Sequence, residues 1–301
     1  MDIGMIGLGK MGANMAQRLI KGGHRVVGFD PREEARKALE DEGGETADSL
    51  AALVKKLKRP RAVWMMVPSG KVTDKTASTL KSLMAKDDIV IDGGNSNYKD
   101  TLRHAKQFQA KAMHFVDCGT SGGVWGLKEG YSMMIGGDDA AVDRLRPVFE
   151  CLAPGKKKGW GHVGPVGSGH FVKMVHNGIE YGLMQAYAEG FSIMQHKEEF
   201  GIDLNQVGEI WRYGSVVRSW LLELATDALK KNPTLDGLAP FVPDSGEGRW
   251  TVSEAIDLDV PAPVITTALI ERLRSRDADS FSDRLLSALR NEFGGHAMKK
   301  D

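Results

Sequence analysis

From Asp2 to about Val163, short apolar runs alternate with longer segments whose apolar residues recur at helical spacing, the pattern of βαβ units feeding a parallel sheet. The runs predict strands over residues 3–6, 25–29, 62–67, 89–92 and 113–118, and the first four are each followed by a turn rich in Gly, Pro, Ser or Asn. Residues 131–135 and 158–163 can extend the sheet on either side of a helix at 140–152, in directions the pattern leaves open. At Gly164-Pro165-Val166-Gly167-Ser168-Gly169 the composition shifts to a breaker cluster. Beyond it only helical periodicity is found: a long segment reaching about His196, then 203–213, 217–230, 250–257, 263–275 and 280–293. The expected organisation is an α/β domain over residues 1–163 followed by an all-α domain over 164–301.

Composition narrows the class of function. A chain of 301 residues with 42% hydrophobic and 27% charged residues has room for two globular domains. Lys+Arg and Asp+Glu both total 40, so no global field attracts nucleic acid or an anionic membrane, and an anionic substrate has to be held by local charges. Two cysteines, Cys118 and Cys151, form neither a disulfide framework nor a spaced metal set, and no Cys/His cluster accompanies them, so no metal is expected. Met1 leads into a strand with no basic leader, and no apolar stretch approaches the roughly 20 residues that span a bilayer. The expectation is a cytoplasmic protein.

Gly7-Leu8-Gly9-Lys10-Met11-Gly12 follows the first strand and opens a helix, the context that makes a GxGxxG string a dinucleotide-binding turn. Gly7 permits the tight turn, Gly9 lets the backbone approach a pyrophosphate, and Gly12 lets helix pack on sheet. The helix start offers free N–H groups and a positive dipole end. The fold class read from the sequence is therefore an α/β Rossmann-type N-terminal domain with a mostly parallel sheet, followed by an all-α C-terminal domain. Asp30 ends the second strand, 18 residues past Gly12, where a carboxylate hydrogen-bonds ribose hydroxyls and repels a 2′-phosphate; this favours NAD. Arg32, two positions on, offers a grip for a 2′-phosphate and keeps NADP open.

The long helix carries the chemistry. Lys173, His176, Asn177, Glu180 and Tyr181 fall at i, i+3, i+4, i+7 and i+8 and share one face. A lysine among Phe171, Val172, Met174 and Val175 is expected to be partly desolvated, which lowers its pKa toward the range of a general base. Glu180 can act as the complementary acid and Asn177 can orient a hydroxyl or carboxylate. The competing reading is a Lys/Glu pair on a solvated helix face. Against it stand Gly178, Gly182 and Gly190, each costing about 1 kcal/mol in a helix, which a close-approaching ligand or helix would justify.

Residues 167–181, Gly-Ser-Gly-His-Phe-Val-Lys-Met-Val-His-Asn-Gly-Ile-Glu-Tyr, resemble the signature of 6-phosphogluconate dehydrogenases. Asp92-Gly93-Gly94-Asn95-Ser96, Ser121-Gly122-Gly123 and Arg290-Asn291-Glu292-Phe293-Gly294-Gly295-His296 agree with it, so the likeness runs over nearly the whole chain. The resemblance implies that Lys173 takes the proton of the substrate's C3 hydroxyl as hydride leaves, giving a 3-keto acid that loses carbon dioxide, and that Glu180 protonates the enediol. It implies substrate contacts from Asn95, Ser121, Gly122, Gly123, His176, Asn177 and Tyr181, a nicotinamide contact from Val67, and a cofactor contact from Asn95. It also implies phosphate contacts from Arg272 and Arg290, and a homo-oligomer in which the tail, with Arg290 and His296, completes a neighbour's site. Longer members duplicate the helical part, and this chain resembles the short branch. It departs from the long members at Asp244-Ser245-Gly246-Glu247-Gly248-Arg249-Trp250, with Ser245 and Glu247 in place of a lysine and a threonine that face the phosphate. A carboxylate there repels a phosphate. Two other readings stand beside this one: a β-hydroxyacid dehydrogenase of the 3-hydroxyisobutyrate or tartronate semialdehyde type, which has no need of Glu180, and a nucleotide-binding scaffold without chemistry, which needs neither Lys173 nor Glu180.

Overall fold

The computed structural model of the chain describes residues 1–294, 297 and 299, and the chain forms two compact units, Met1–His176 and Asn177–Asp301. The first unit holds eight strands: β1 (Asp2–Ile6), β2 (Arg25–Phe29), β3 (Glu45–Thr46), β4 (Ala62–Met65), β5 (Ile89–Asp92), β6 (His114–Ser121), β7 (Ser132–Gly136) and β8 (Trp160–Gly164). They form one sheet in the order β3-β2-β1-β4-β5-β6-β7-β8. Six strands run parallel, β7 is antiparallel to β6, and β8 is parallel to β7, which settles the two directions left open by the sequence. Two features were not foreseen: the two-residue β3, and the extension of β6 through Ser121, followed by a 3₁₀ turn at Gly123–Trp125.

The helices of this unit are α1 (Lys10–Lys21), α2 (Glu33–Asp41), α3 (Leu50–Lys56), α4 (Lys71–Leu83), α5 (Tyr98–Gln109), α6 (Gly126–Glu129) and α7 (Asp139–Leu152). Their apolar stripes cover the sheet with two separate cores. One gathers Met15, Leu19, Trp64, Ile91, Val116 and Phe149, and the other Leu53, Val63, Met65, Leu80, Phe108 and Phe115. Burial on both faces explains why β1, β4 and β5 read as continuous apolar runs rather than alternating ones. Several starts are capped by their own residues: Ser49 for α3, Asn97 for α5 and Asp138 for α7 each accept a backbone N–H, a contribution of about 1 kcal/mol apiece.

Helix α8 (Ser168–His196) is 29 residues long and begins in the first unit. The second unit continues with α9 (Leu204–Trp211), α10 (Trp220–Lys231), α11 (Glu247–Asp257), α12 (Pro263–Arg274) and α13 (Phe281–Gly294), with no strand among its described residues. Helix α9 lies against α10, where Gly208 meets Thr226 so closely that an added Cβ would stand 2.4 Å from Oγ1. The buried apolar clusters are small, Tyr181 with Ala268 and Leu269, and Phe191 with Leu222 and Leu229. No described helix is long and apolar enough to cross a membrane.

Candidate active site

In the first unit the strand order reverses direction of growth between β1 and β4, and in such sheets ligands bind outside the carboxyl ends of the strands at that point. Several of the sequence-predicted residues lie at the carboxyl ends of the parallel strands, those after β1 and β4 beside the reversal itself. Gly7 to Gly12 follow β1, Asp30 follows β2, Val67 follows β4, Asn95 follows β5, and Ser121 ends β6 with Gly122 and Gly123 behind it. The three fingerprint glycines differ in what they permit. Gly7 has φ of 90°, and a Cβ on it would lie 2.3 Å from the Met66 carbonyl oxygen. A Cβ on Gly12 would lie 2.0 Å from the Gly7 carbonyl oxygen, while Gly9 has nothing within 4 Å. Gly7 and Gly12 thus build the turn, and Gly9 leaves open space at the start of α1, where no side chain caps the helix and no acid stands in the first turn. Free N–H groups beside an open backbone fit a pyrophosphate.

Asp30 is buried, and its carboxylate accepts the Leu8 N–H at 2.8 Å, the Arg32 N–H at 3.0 Å and the Arg32 guanidinium at 3.0 and 3.2 Å. Burial alone would push the carboxyl up, but the Arg32 side chain and the two N–H groups outweigh it and hold it below its ordinary value. Arg36 donates to the Asp30 carbonyl oxygen at 2.7 Å. Arg32 is therefore engaged by Asp30 rather than presented to solvent alone.

Asp92, fully buried at the end of β5, shapes the next loop: its carboxylate accepts the Gly94 N–H at 3.1 Å and the Ser96 hydroxyl at 2.8 Å, which leaves Asn95 exposed at the tip. Gly122 and Gly123, with φ of 131° and 51°, make the turn after Ser121. Cys118 is buried, and burial pushes its thiol up to about 12, so it offers no thiolate.

On α8, Lys173 is 7% exposed and Asn177 is likewise buried, whereas His176 and Glu180 are half-buried. The solvated-face reading fails on the lysine. Of the three helix glycines, a Cβ on Gly178 would lie 2.7 Å from Thr251 and one on Gly182 would lie 3.2 Å from Val264, so a neighbouring helix accounts for both. Gly190 has nothing within 4 Å, and the close-approach argument does not hold there.

In the second unit Tyr181 is buried and organises the segment where the chain departs from the long members. Its hydroxyl accepts the Ser245 N–H at 3.3 Å, its ring lies against Gly248, and the Arg272 guanidinium stands 3.5 Å from the ring centroid. Arg272 also donates to the Pro243 carbonyl oxygen at 3.0 Å. It is a stacked, oriented cation rather than a loose surface charge. Glu247 begins α11 three residues earlier than the periodicity predicts and is buried, so its carboxylate is withdrawn from solvent. Arg249 and Arg276 are both held by Asp244, at 3.0 and 2.9 Å, and hydrogen bonding from Arg249 holds that carboxyl below its usual range. Arg290 is exposed on α13, and His296 lies outside the described residues. No cluster of three or more His, Cys, Asp or Glu side chains suited to a metal is found among the described residues.

Sequence reasoning passed over Asp92 and Asp117 as structural acids. The available signal was a charged residue inside a strand run whose neighbours are all apolar, and Asp117 in β6 is such a case.

Comparison with known proteins follows the same division. A model of the NAD binding domain of 6-phosphogluconate dehydrogenase matches residues 2–164, and one of the 6-phosphogluconate dehydrogenase C-terminal domain matches residues 169–285. The NAD(+)-dependent, decarboxylating 6-phosphogluconate dehydrogenase of Haloferax volcanii is 44% identical over 301 residues, covering 100% of this chain and 99% of its own length. The NADP(+)-dependent, decarboxylating enzyme of Bacillus subtilis is 36% identical over 290 residues, 91% of this chain and 61% of the longer relative. The structure of Plasmodium falciparum 6-phosphogluconate dehydrogenase superposes with a TM-score of 0.84 at 30% identity, covering 100% of this chain and 66% of that one. With both halves matched by models of one family and a relative aligned from end to end, this chain belongs to the 6-phosphogluconate dehydrogenase family.

Proposed function

We propose that the protein oxidises and decarboxylates 6-phosphogluconate to ribulose 5-phosphate and carbon dioxide while reducing NAD. The observation that carries the reading is the buried Lys173 inside the 167–181 string, with Glu180 two turns further along the same face of α8. Residues 1–163 would hold the cofactor and 164–301 the substrate and a partner subunit. The nicotinamide, bound near Val67, supplies the acceptor for the C3 hydride. Gly7 to Gly12, including Leu8, Lys10 and Met11, hold the pyrophosphate, and Asp30 holds the ribose.

Lys173 takes the C3 hydroxyl proton, which leaves a 3-keto acid. Its ammonium then returns that proton to the keto oxygen as the C1–C2 bond breaks, so the electron pair of the departing carboxylate is accepted as an enediol. Glu180 protonates the enediol carbon and Lys173 removes the hydroxyl proton again, giving the ketone. Asn95, Ser121, Gly122, Gly123, His176, Asn177 and Tyr181 orient the substrate, and Arg272, preset by its stack on Tyr181, meets the phosphate.

A homo-oligomer belongs to this proposal, with Arg290 and His296 of one subunit completing the site of another. Its support is the exposed apolar stripe Phe281, Leu285, Leu286 and Leu289 on α13, which has the spacing of a packed helix face. Location in the cytoplasm is supported by two free cysteines. A simple β-hydroxyacid oxidation is disfavoured by the match of both halves to the decarboxylating family and by Glu180.

The test is reduction of NAD and NADP in parallel by protein given 6-phosphogluconate, with carbon dioxide trapped and Lys173→Met as control. Equal moles of reduced cofactor and carbon dioxide, lost in the variant, are expected. Reduction without carbon dioxide would remove the decarboxylating assignment.

A further inference from the structure

Helix α8 starts without a cap of its own. Gly167, whose carbonyl oxygen accepts the Phe171 N–H at 3.0 Å, has no side chain and a φ of 93°. The cap comes instead from β6, fifty residues upstream. The Asp117 carboxylate, 0% exposed, accepts the Gly167 N–H at 2.6 Å with one oxygen and the His170 N–H at 2.8 Å with the other.

Two residues along the same strand, and so on the same face of the sheet, Gly119 lies directly against the lysine. A Cβ built on Gly119 would stand 2.4 Å from Lys173 Cβ and 2.7 Å from the Gly169 carbonyl oxygen. Gly169 is equally tight, its Cβ position falling 2.5 Å from the Met134 carbonyl oxygen and 2.8 Å from that of Asp117. A second tie runs from α5, where the Thr101 hydroxyl and His170 Nδ1 are 2.7 Å apart.

We propose that Asp117 and Gly119 form the seat that sets the height and facing of Lys173, making Asp117 a positioning residue for the proton transfer. The inference rests on the proposed function, because it takes Lys173 to be the base. The physical reason is geometric. A carboxylate has two acceptor oxygens and satisfies two N–H groups at once, so the first turn of α8 is tied at both Gly167 and His170. Lys173 is one turn further on, and its Cβ and Cγ fill the space opposite Gly119, where any side chain would collide with them. A base must stay within hydrogen-bond reach of its proton, and a misplacement of about 1 Å costs on the order of 10²-fold in rate.

The variants are Asp117→Asn and Gly119→Ala. The amide keeps the shape but turns an NH₂ toward one of the two N–H groups, and the methyl displaces the lysine with the carboxylate intact. Both are assayed with 6-phosphogluconate carrying hydrogen or deuterium at C3, and the rate is expressed per NADH-binding site. Expected is a fall in kcat of about 10- to 100-fold with NADH affinity within about twofold of wild type, and a larger deuterium isotope effect on kcat as proton and hydride transfer become limiting. A kcat per site and an isotope effect equal to wild type in either folded variant would overturn the seat, since a purely structural role lowers only the number of sites. If Asp117→Asn yields no NADH-binding protein, Gly119→Ala decides by the same criteria.

Absence of turnover in the wild type would instead retire the substrate reading. The seat is then read by the rate at which acetyl N-hydroxysuccinimide labels Lys173, followed by mass spectrometry of the folded chain. A rise of about tenfold in the variants supports the seat, and an unchanged rate overturns it.

Discussion

At Asp30 a single carboxylate gathers the Leu8 N–H of the glycine turn and the Arg32 guanidinium, so cofactor choice and turn geometry depend on the same group. Replacing it with serine releases Arg32 and leaves Arg36 close by on the Asp30 carbonyl oxygen. Asp30→Ser is expected to raise the ratio of NADP to NAD specificity by at least about tenfold, the worth of one charge-assisted hydrogen bond, measured as kcat/KM for each cofactor. The pH dependence has a definite sign. The folded carboxyl is held below its ordinary value of 3.8, so its contribution is complete above that value and is lost only as pH falls through the lower folded one. KM for NAD should therefore show no change assignable to Asp30 between pH 5 and 9 and should rise in wild type only as pH falls below the ordinary value of 3.8. A rise centred near neutrality would sink this assignment.

Among the elements, the turn before α1 separates the structural from the functional glycines. Gly9→Ala meets nothing within 4 Å and leaves an ordinary negative φ of −70°, so thermal stability should stay within about 0.5 kcal/mol while KM for NAD rises. Gly12→Ala drives a methyl into the Gly7 carbonyl and should cost about 1–3 kcal/mol. Equal destabilisation in a urea titration of the two variants would contradict the division. Helix α8 offers the opposite case at Gly190, where a side chain has open space. Gly190→Ala should stabilise by about 0.5–1 kcal/mol, and calorimetry showing a lower Tm would mean that something covers that position.

For the whole molecule, the small clusters of the second unit contrast with its exposed apolar residues, which include Ile193, Val216, Leu238, Ile256, Val264 and Phe281. The proposed homo-oligomer places its contact on the stripe of Phe281, Leu285, Leu286 and Leu289 along α13. Leu285→Asp combined with Leu289→Asp places two charges on the α13 stripe. This variant should sediment as a smaller species than wild type and lose turnover while keeping NADH binding, which belongs to the first unit. An unchanged sedimentation coefficient would exclude α13 from the interface.

What the sequence determined by itself was everything with a local cause. The GxGxxG turn is legible because Gly7 needs a positive φ and Gly9 an open backbone, both properties of one residue. The acid at Asp30 is legible from its place at a strand end, and the face bearing Lys173, Asn177 and Tyr181 from helical period alone. Tertiary structure decided the rest. The reversal of β7 against β6 depends on hydrogen bonds between strands that share no local signal. Arg272 takes its orientation from a tyrosine some ninety residues away, and the start of α8 is tied by an aspartate on β6. A period or a turn residue reports on its own backbone, whereas a cap, a stack or a strand direction is a property of two segments that meet only when the chain is folded.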